Sequence, residues 1–319
     1  MKVSVYCLVY NHEKYLRDAL DGFVNQKTNF DYEVFVHDDV STDGSREIIR
    51  EYAQKYPHII KPILQTENQY SKGVKILQTH ILPHMTGEYI AVCEGDDYWN
   101  DPHKLQLQVD FLDSHPDYVA CVHNTIMENL QTGEKKPMFF HEADEDVTFE
   151  QAVQKGSACY QTSALMYRIA YTKQRPEFFK KARGFGDYPL AIYLTLSGKV
   201  RFLNQTMSVY RLGTGGSWTA RSRANLRKNA DFRQSVADML REVDRYTEGR
   251  YTQMLEKLIL ENEYMALFYN ESYAQMRKPP YDKFYRAESL KFRVKTYLKQ
   301  YLSPAYHFYR KLAYGGKKR

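Results

Sequence analysis

Tyr89-Ile90-Ala91-Val92-Cys93-Glu94-Gly95-Asp96-Asp97-Tyr98-Trp99 drives an apolar run of strand type straight into two adjacent carboxylates. A run of this kind reads as a strand buried on both faces. Two neighbouring carboxylates repel each other unless a cation or a hydrogen-bond donor sits between them. In open α/β sheets, ligands bind in the crevice beyond the carboxyl ends of the strands. The pair therefore stands where a ligand would. The bland alternative is a solvated turn in which Asp96 caps the next helix.

The chain before this stretch repeats its pattern. Residues 3 to 10 alternate like a strand, and Leu16, Ala19, Leu20 and Phe23 then recur at helical spacing. A second strand, residues 32 to 37, also runs into a carboxylate pair, Asp38-Asp39. A turn of small polar residues follows at 40 to 45, then a helix facing inward with Ile48, Ile49 and Tyr52. A third strand is expected at 59 to 64, a polar loop at 65 to 73, and a helix carrying Ile76, Leu77 and His80. Strands alternating with helices of this length predict an α/β fold with a doubly wound, mostly parallel sheet. Two strands ending in Asp pairs at the same end of one sheet point to a site there.

Beyond Trp99, Asp101 and Pro102 open a helix with Leu105, Val109 and Leu112 on its face. Residues 118 to 123 read as a strand, 131 to 146 as a polar surface excursion and 157 to 167 as strand-like. The loop Arg183-Gly184-Phe185-Gly186-Asp187-Tyr188-Pro189 leads into a helix that ends at Gly198. Residues 200 to 203 and 207 to 210 are expected as two short strands. From about Arg221 the character changes, and Val236, Met239, Leu240, Val243, Met254, Leu258 and Met265 mark helices in a hairpin. The expected division is a catalytic domain over residues 1–220 and a helical region over 221–319.

Of the 319 residues, 43% are hydrophobic and 26% charged, which suits a soluble globular protein. No signal peptide is read at the start, and no apolar stretch nears the roughly 20 residues that span a bilayer. The four cysteines, Cys7, Cys93, Cys121 and Cys159, lie far apart, as expected of reduced thiols rather than disulfides or a zinc site. The net charge of +6 is uneven: residues 283 to 319 hold eleven Lys or Arg against one acid, which leaves the remainder at −4. A mildly acidic body with a basic tail suggests an anionic surface as the tail's partner.

The series V-S-V-Y-C-L-V-Y-N, H-D-D-V-S-T-D-G-S and E-G-D-D-Y-W resembles the inverting glycosyltransferases of family 2, which have the GT-A fold. The resemblance covers residues 3 to about 218. It implies that Val9, Tyr10 and Asn11 cradle a nucleotide base, with Asp39 accepting from the uracil ring nitrogen. An acceptor-only carboxylate suits that imide N–H and is left unpaired against cytosine. It also places Asp96 at the ribose or a metal-bound water, and Asp97 on a divalent metal, Mn2+ or Mg2+, whose preference for oxygen ligands fits. Asp187 falls at the general base, although Gly186 stands where relatives carry a first acid. Lys72 and Lys75 lie near the expected phosphates; the alternative for each is a solvated surface lysine. Relatives often carry a His after Tyr-Arg. Here Tyr210-Arg211 leads into Leu212-Gly213-Thr214-Gly215-Gly216-Ser217-Trp218, a loop expected to close over the donor with Arg211 facing phosphate. His12, His37 and His123 sit near strand ends and are read as structural.

The implied activity is transfer of a sugar from a UDP-sugar to a hydroxyl of a lipid-linked saccharide acceptor, as in the assembly of a bacterial surface polysaccharide or capsule. A sugar-nucleotide pyrophosphorylase is the second enzymatic reading, but no G-x-G-x-R loop follows the first strand. A nucleic-acid-binding protein is the third; the acidic body and the lack of a nucleic-acid motif weigh against it. In the tail, Leu290, Val294, Tyr297, Leu298 and Tyr301 recur at spacings of three and four, while Lys291, Lys295 and Lys299 mark another face. Pro304 interrupts, and a second short helix is expected over 306–314. An apolar aromatic face beside a lysine face describes a helix lying in a membrane interface, here the inner face of the cytoplasmic membrane. The alternative is a basic helix packed on the body.

Overall fold

The computed structural model describes residues 1–140, 142–214 and 226–301. The chain divides into two compact units: residues 1–176 with 185–217, and residues 177–184 with 218–319.

The first unit is organised on one mixed sheet. Its strands are β1 (Val3–Val9), β2 (Tyr32–Asp38), β3 (Ile60–Leu64), β4 (Tyr89–Val92), β5 (Tyr98–Trp99), β6 (Tyr118–Asn129), β7 (Lys135–Pro137), β8 (Glu145–Asp146), β9 (Met166–Arg168) and β10 (Lys199–Leu212). The order is β3-β2-β1-β4-β9-β6-β10-β5, with β7 beside β6 and β8 beside β10. β1, β2, β3 and β4 are parallel neighbours, as the alternation of strands and helices predicts. The strand order reverses between β1 and β4, and that reversal opens a crevice at their carboxyl ends.

The core beneath this crevice is the set of residues that the periodicity singles out. Leu16, Ala19, Leu20 and Phe23 of α1 (Leu16–Val24) are buried, as are Ile48, Ile49 and Tyr52 of α2 (Ser45–Lys55) and Leu105, Val109 and Leu112 of α3 (Lys104–Ser114). They pack with Val3, Val5, Cys7 and Val9 of β1 in one cluster. Each fully buried Val, Leu, Ile or Phe stabilises by about 1.5–3 kcal/mol. All four cysteines are buried free thiols.

Two local expectations need correction. The stretch 157–167 is not a strand: tight 3-10 turns at Gly156–Ala158 and Thr162–Ala164 precede the short β9. The Gln161 side chain accepts the amide of Ser163 and so offers the backbone an alternative to a ladder. The expected pair of short strands is instead one 14-residue strand, β10, with register shifts between Leu203 and Ser208 that mimic a break. The polar segment 131–146 lies at the surface as expected, and it carries the short exposed strands β7 and β8.

The remaining helices of this unit are α4 (Phe149–Lys155), which opens on a Thr148–Gln151 capping box, α5 (Ala170–Lys173) and α7 (Asp187–Ser197). The second unit includes α6 (Phe178–Lys181), α8 (Leu226–Tyr246), α9 (Thr252–Tyr269), α10 (Tyr273–Met276), α11 (Asp282–Ala287) and α12 (Leu290–Tyr301). α8 and α9 form the expected hairpin, which turns at Gly249 in the left-handed region (φ 76°). Val236, Met239, Leu240 and Val243 are buried along α8. A second cluster holds Tyr264, Tyr273 and Met276, with Phe268, Phe284 and Phe292 packed against it. The helix expected at 306–314 lies outside the described residues. Among those described, no helix is long and apolar enough to cross a membrane.

Candidate active site

Glycine lets the two sides of the crevice meet. The Gly95 amide, just past β4, donates to the Leu8 carbonyl of β1 at 3.0 Å. A Cβ at Gly95 would lie 2.9 Å from His12 Nδ1 and 3.0 Å from Val9 Cγ2. A side chain there would press on those of His12, Val9 and Leu16, which would have to shift to make room.

The ends of β1 and β2 are laced together by polar side chains. Asn11 donates its amide to Ser41 Oγ (2.9 Å), and its own Oδ1 accepts the Thr42 amide (2.7 Å). The His12 amide donates to Ser45 Oγ and the Glu13 amide to Asp43. Two residues here occupy the left-handed region, Asn11 (φ 58°) and Val40 (φ 65°). Asn tolerates that region, but a β-branched valine is strained in it, and such strain collects at functional sites. Val9 is buried at the end of β1, and Tyr10 beside it is 41% exposed, an uncovered aromatic face at the mouth of the crevice.

The Asp38-Asp39 pair divides its work. Asp38 is fully buried; its carboxylate accepts the amides of Val40 and Ser41 and pairs with Arg46 Nε at 3.3 Å, so it shapes the turn. Asp39, 4% exposed, accepts the amides of Gln69 (2.6 Å) and Tyr70 (3.0 Å), and its carbonyl accepts from Asn68 Nδ2. A carboxylate has about four lone-pair positions, so each oxygen of Asp39 retains one for a further donor. Lys72 lies on the same loop, ion-paired with Glu67 and half exposed.

Across the crevice, Asp97 is almost wholly buried. Its Oδ1 accepts the Arg211 amide at 3.0 Å and its Oδ2 accepts Gln161 Nε2 at 3.1 Å. Burial, then the charge of Asp96, pushes its carboxyl well above the usual range. Asp96 accepts Thr214 Oγ1 at 3.0 Å. Arg211 is already engaged: it pairs with Asp18, reaches the Asp96 carbonyl at 3.3 Å, and lies over the rings of Tyr98 (4.4 Å) and Tyr15 (5.3 Å). At 7% exposure it anchors the acidic segment. The loop beyond Thr214, expected to close over a donor, lies outside the described residues.

Asp187 is the first residue of α7, whose N-cap is Gly186. Its Oδ1 accepts the Tyr188 amide at 2.9 Å, so it makes no cap of its own. Glu94 adjoins it electrostatically. The Glu94 carboxyl is pushed up to about 7, first by burial and then by the charges of Asp96 and Asp187. Its surface is open to the crevice, so solvent moderates that rise until a ligand covers it. Tyr160, 5% exposed, carries a hydroxyl with no partner among the described residues, and Asp187 is among the charges that act on it.

The site therefore brings together Val9, Tyr10, Asn11 and Asp39 on one side and Asp96, Asp97, Arg211 and Asp187 on the other. Lys72 stands on the loop that Asp39 holds. The sequence reading passed over Gln161 and Glu94. Glu94 sits inside the quoted motif and was legible there. Gln161 lies 64 residues from Asp97, in a stretch read as a strand, and nothing local marks it. Among the described residues, no group of three His, Cys, Asp or Glu encloses a metal position. A concavity of about 450 Å3 lies between α1 and the 98–102 turn, lined by Asp18, Gly22, Gln26, Tyr98 and Trp99 among others. None of Asp39, Asp96, Asp97 or Asp187 lines it, so the open strand-end crevice, not this concavity, is where the carboxylates converge.

The model of glycosyl transferase family 2 matches residues 4–175. An uncharacterized protein of Mycobacterium tuberculosis is 36% identical over 221 residues, 68% of this chain and 60% of that protein. The chain thus spans about 60% of the length of the first curated relatives it matches. The crystal structure of S. aureus TarS 1-349 in complex with UDP matches with a TM-score of 0.56 at 20% identity, covering 86% of this chain and 92% of that one. A mannosyltransferase from Pyrobaculum calidifontis in complex with GDP-Man and Mn2+ matches with a TM-score of 0.50 at 16% identity, covering 99% and 88%. At these identities the two structures show a shared GT-A architecture.

Proposed function

The chain belongs to glycosyl transferase family 2, and from that premise we propose that it moves a sugar from a UDP-sugar to a saccharide hydroxyl with inversion at the anomeric carbon. The observation that carries this reading is the convergence of three carboxylate positions, Asp39, Asp96-Asp97 and Asp187, around the β1/β4 switch point. UDP in the TarS structure and Mn2+ in the mannosyltransferase structure support the donor and metal classes.

Each residue has work suited to its setting. Tyr10 stacks on the base, and Asp39, already fixed by two amides, accepts its imide proton. Asn11 holds the turn that shapes the base pocket. Asp97 is the metal ligand. The fit rests on a buried carboxylate held between two donors and crowded by Asp96, a position that favours a hard divalent cation. A cation bound there supplies charge against the diphosphate leaving group. Lys72 swings from its exposed pair with Glu67 to the phosphates. Asp187 takes the proton from the acceptor hydroxyl as that oxygen attacks in line. Once a ligand covers Glu94, burial raises its carboxyl and lessens the negative charge beside Asp187.

The acceptor is lipid-linked, and the enzyme works as a peripheral protein on the inner face of the cytoplasmic membrane, through residues 283–319. Support comes from α12, where Leu290, Val294, Tyr297 and Tyr301 lie exposed along one face. Incubating the full chain with a UDP-sugar panel, Mn2+ and saccharide acceptors tests the transfer. UDP release that needs acceptor supports it; no release with any donor overturns it.

A further inference from the structure

On the second unit, α12 has two unlike faces. Phe292 packs on the Tyr264–Tyr273–Met276 cluster and Thr296 is buried. The opposite face leaves Leu290 70%, Val294 47%, Tyr297 54% and Tyr301 58% exposed. Spacings of four, three and four put these side chains on one stripe. An apolar stripe of this size on a helix that is otherwise basic is an anomaly for a purely solvated surface.

Beside the stripe runs a groove of about 390 Å3, lined by Arg277, Tyr285, Leu290, Arg293, Val294, Tyr297 and Leu298. Arg277 is set in it by aromatic faces. Its guanidinium lies 5.7 Å from the Tyr285 ring, 5.9 Å from Tyr297 and 5.5 Å from Tyr301. One amino group donates to Gln300 and Tyr301, while the other, Nη1, is buried without a partner among the described residues. Arg293 likewise has a buried Nε with no partner among the described residues. Neither arginine has a carboxylate within ion-pair reach among the described residues. Lys291 and Lys295 on α12 are exposed and equally without one. By contrast, Arg286 is paired with Asp282 and Lys299 with Glu271. Over residues 277–301 the chain holds eight Lys or Arg against two acids.

Two arginines that line an apolar groove and have no carboxylate partner among the described residues call for an anion attached to an apolar body. We propose that this groove receives the phosphate headgroup of an anionic membrane lipid, between Arg277 and Arg293, while Leu290, Val294, Tyr297 and Tyr301 enter the bilayer interface. Arginine forks match phosphate oxygens. Tyrosine suits the headgroup boundary, and an amphipathic helix lies in that plane. The inference deepens the membrane-docking reading above and rests on it, but it is independent of the transferase chemistry.

The test uses the full chain and sedimentation with vesicles of phosphatidylcholine alone or mixed with phosphatidylglycerol. Binding is expected only to the mixed vesicles. Each basic side chain near an anionic surface is worth about fivefold, so Arg277→Gln with Arg293→Gln weakens partition on the order of 20-fold. Because Arg277 also packs among rings, a second variant guards against misfolding. Leu290→Ser with Val294→Ser changes only exposed side chains and abolishes binding, with an unchanged melting curve and unchanged turnover of a soluble acceptor. Free inorganic phosphate at matched ionic strength is expected to release no more protein than chloride does. Release by phosphate beyond chloride identifies a site for the free anion and overturns the lipid assignment. So does self-association of the wild type that the Leu290/Val294 variant abolishes, since the stripe then belongs to a second copy. Variants that bind mixed vesicles like wild type overturn the groove and leave docking standing; a wild type that binds no vesicle overturns both.

Discussion

Replacing Asp97 by Asn separates the two roles that a buried carboxylate plays here. In the metal-free protein the charge of Asp97 is unwelcome: it is 3% exposed, and Asp96 adds repulsion. The amide removes that cost and keeps an oxygen for the Arg211 amide at 3.0 Å. It also turns an N–H toward Gln161 Nε2, which now donates at 3.1 Å. Gln161 cannot simply flip, because its oxygen accepts the Ser163 hydroxyl at 2.6 Å. A buried donor left unmatched costs about 1–3 kcal/mol. The two effects oppose, so metal-free stability is expected within about 2 kcal/mol of wild type, by urea unfolding in chelator. The loss of charge stabilisation on the leaving diphosphate is not offset by anything. A metal contribution of several kcal/mol implies a fall in Mn2+-dependent turnover on the order of 10³-fold or more. The variant should also lose any stabilisation by Mn2+. An Asp97→Asn enzyme that keeps near-wild-type turnover and still gains stability from Mn2+ would refute the assignment.

Asp187→Asn should leave UDP affinity within about twofold and lower turnover by roughly 10² to 10⁴, the usual worth of a positioned base; lost UDP affinity instead would place Asp187 on the donor. Lys72→Ala should weaken UDP about tenfold, as expected for one charge-assisted hydrogen bond, with melting unchanged because its exposed pair with Glu67 is worth under about 1 kcal/mol; unaltered affinity would make Lys72 a plain surface lysine. Lys104 is fully buried, donates to Gln108 Oε1 at 2.7 Å, and is pushed down by burial to about 7. Between pH 7 and its unfolded value of 10.5 the unfolded chain holds a proton that the folded chain has released, so stability rises with pH. Relative to Lys104→Met, wild type should gain about 1.4 kcal/mol per pH unit in that window by urea unfolding; parallel pH profiles would show that Lys104 stays charged when buried.

The sheet was legible because its strands are short apolar runs between amphipathic helices, and β1, β2 and β4 lie where those runs put them. The carboxylates at strand ends were legible for the same reason: Asp39, Asp96 and Asp97 each lie within four residues of the end of an apolar run. What stayed hidden depends on tertiary contacts. Gln161 meets Asp97 only because the 3-10 turn at Thr162–Ala164 replaces a strand, and apolar alternation cannot register a side chain that caps its own backbone. The sequence gives Arg211 no sign of its ties to Asp18, Tyr15 and Tyr98, which join three separate segments, the start of α1, β5 and β10. The register shifts within β10 hid a single strand behind the appearance of two. The stripe on α12 was readable from spacing, but the groove of Arg277 and Arg293 needed the fold to close it.

Thermal melting of the full chain with UDP, with and without Mn2+, tests the central claim most directly. At 100 times its dissociation constant, a ligand that binds only the folded state stabilises by about 2.7 kcal/mol. The account predicts a clear upward shift with UDP and Mn2+ together, a smaller one with UDP alone, and none with CDP, whose ring nitrogen brings Asp39 no proton to accept. Equal shifts with UDP and CDP, or no shift with UDP at saturating Mn2+, would contradict it.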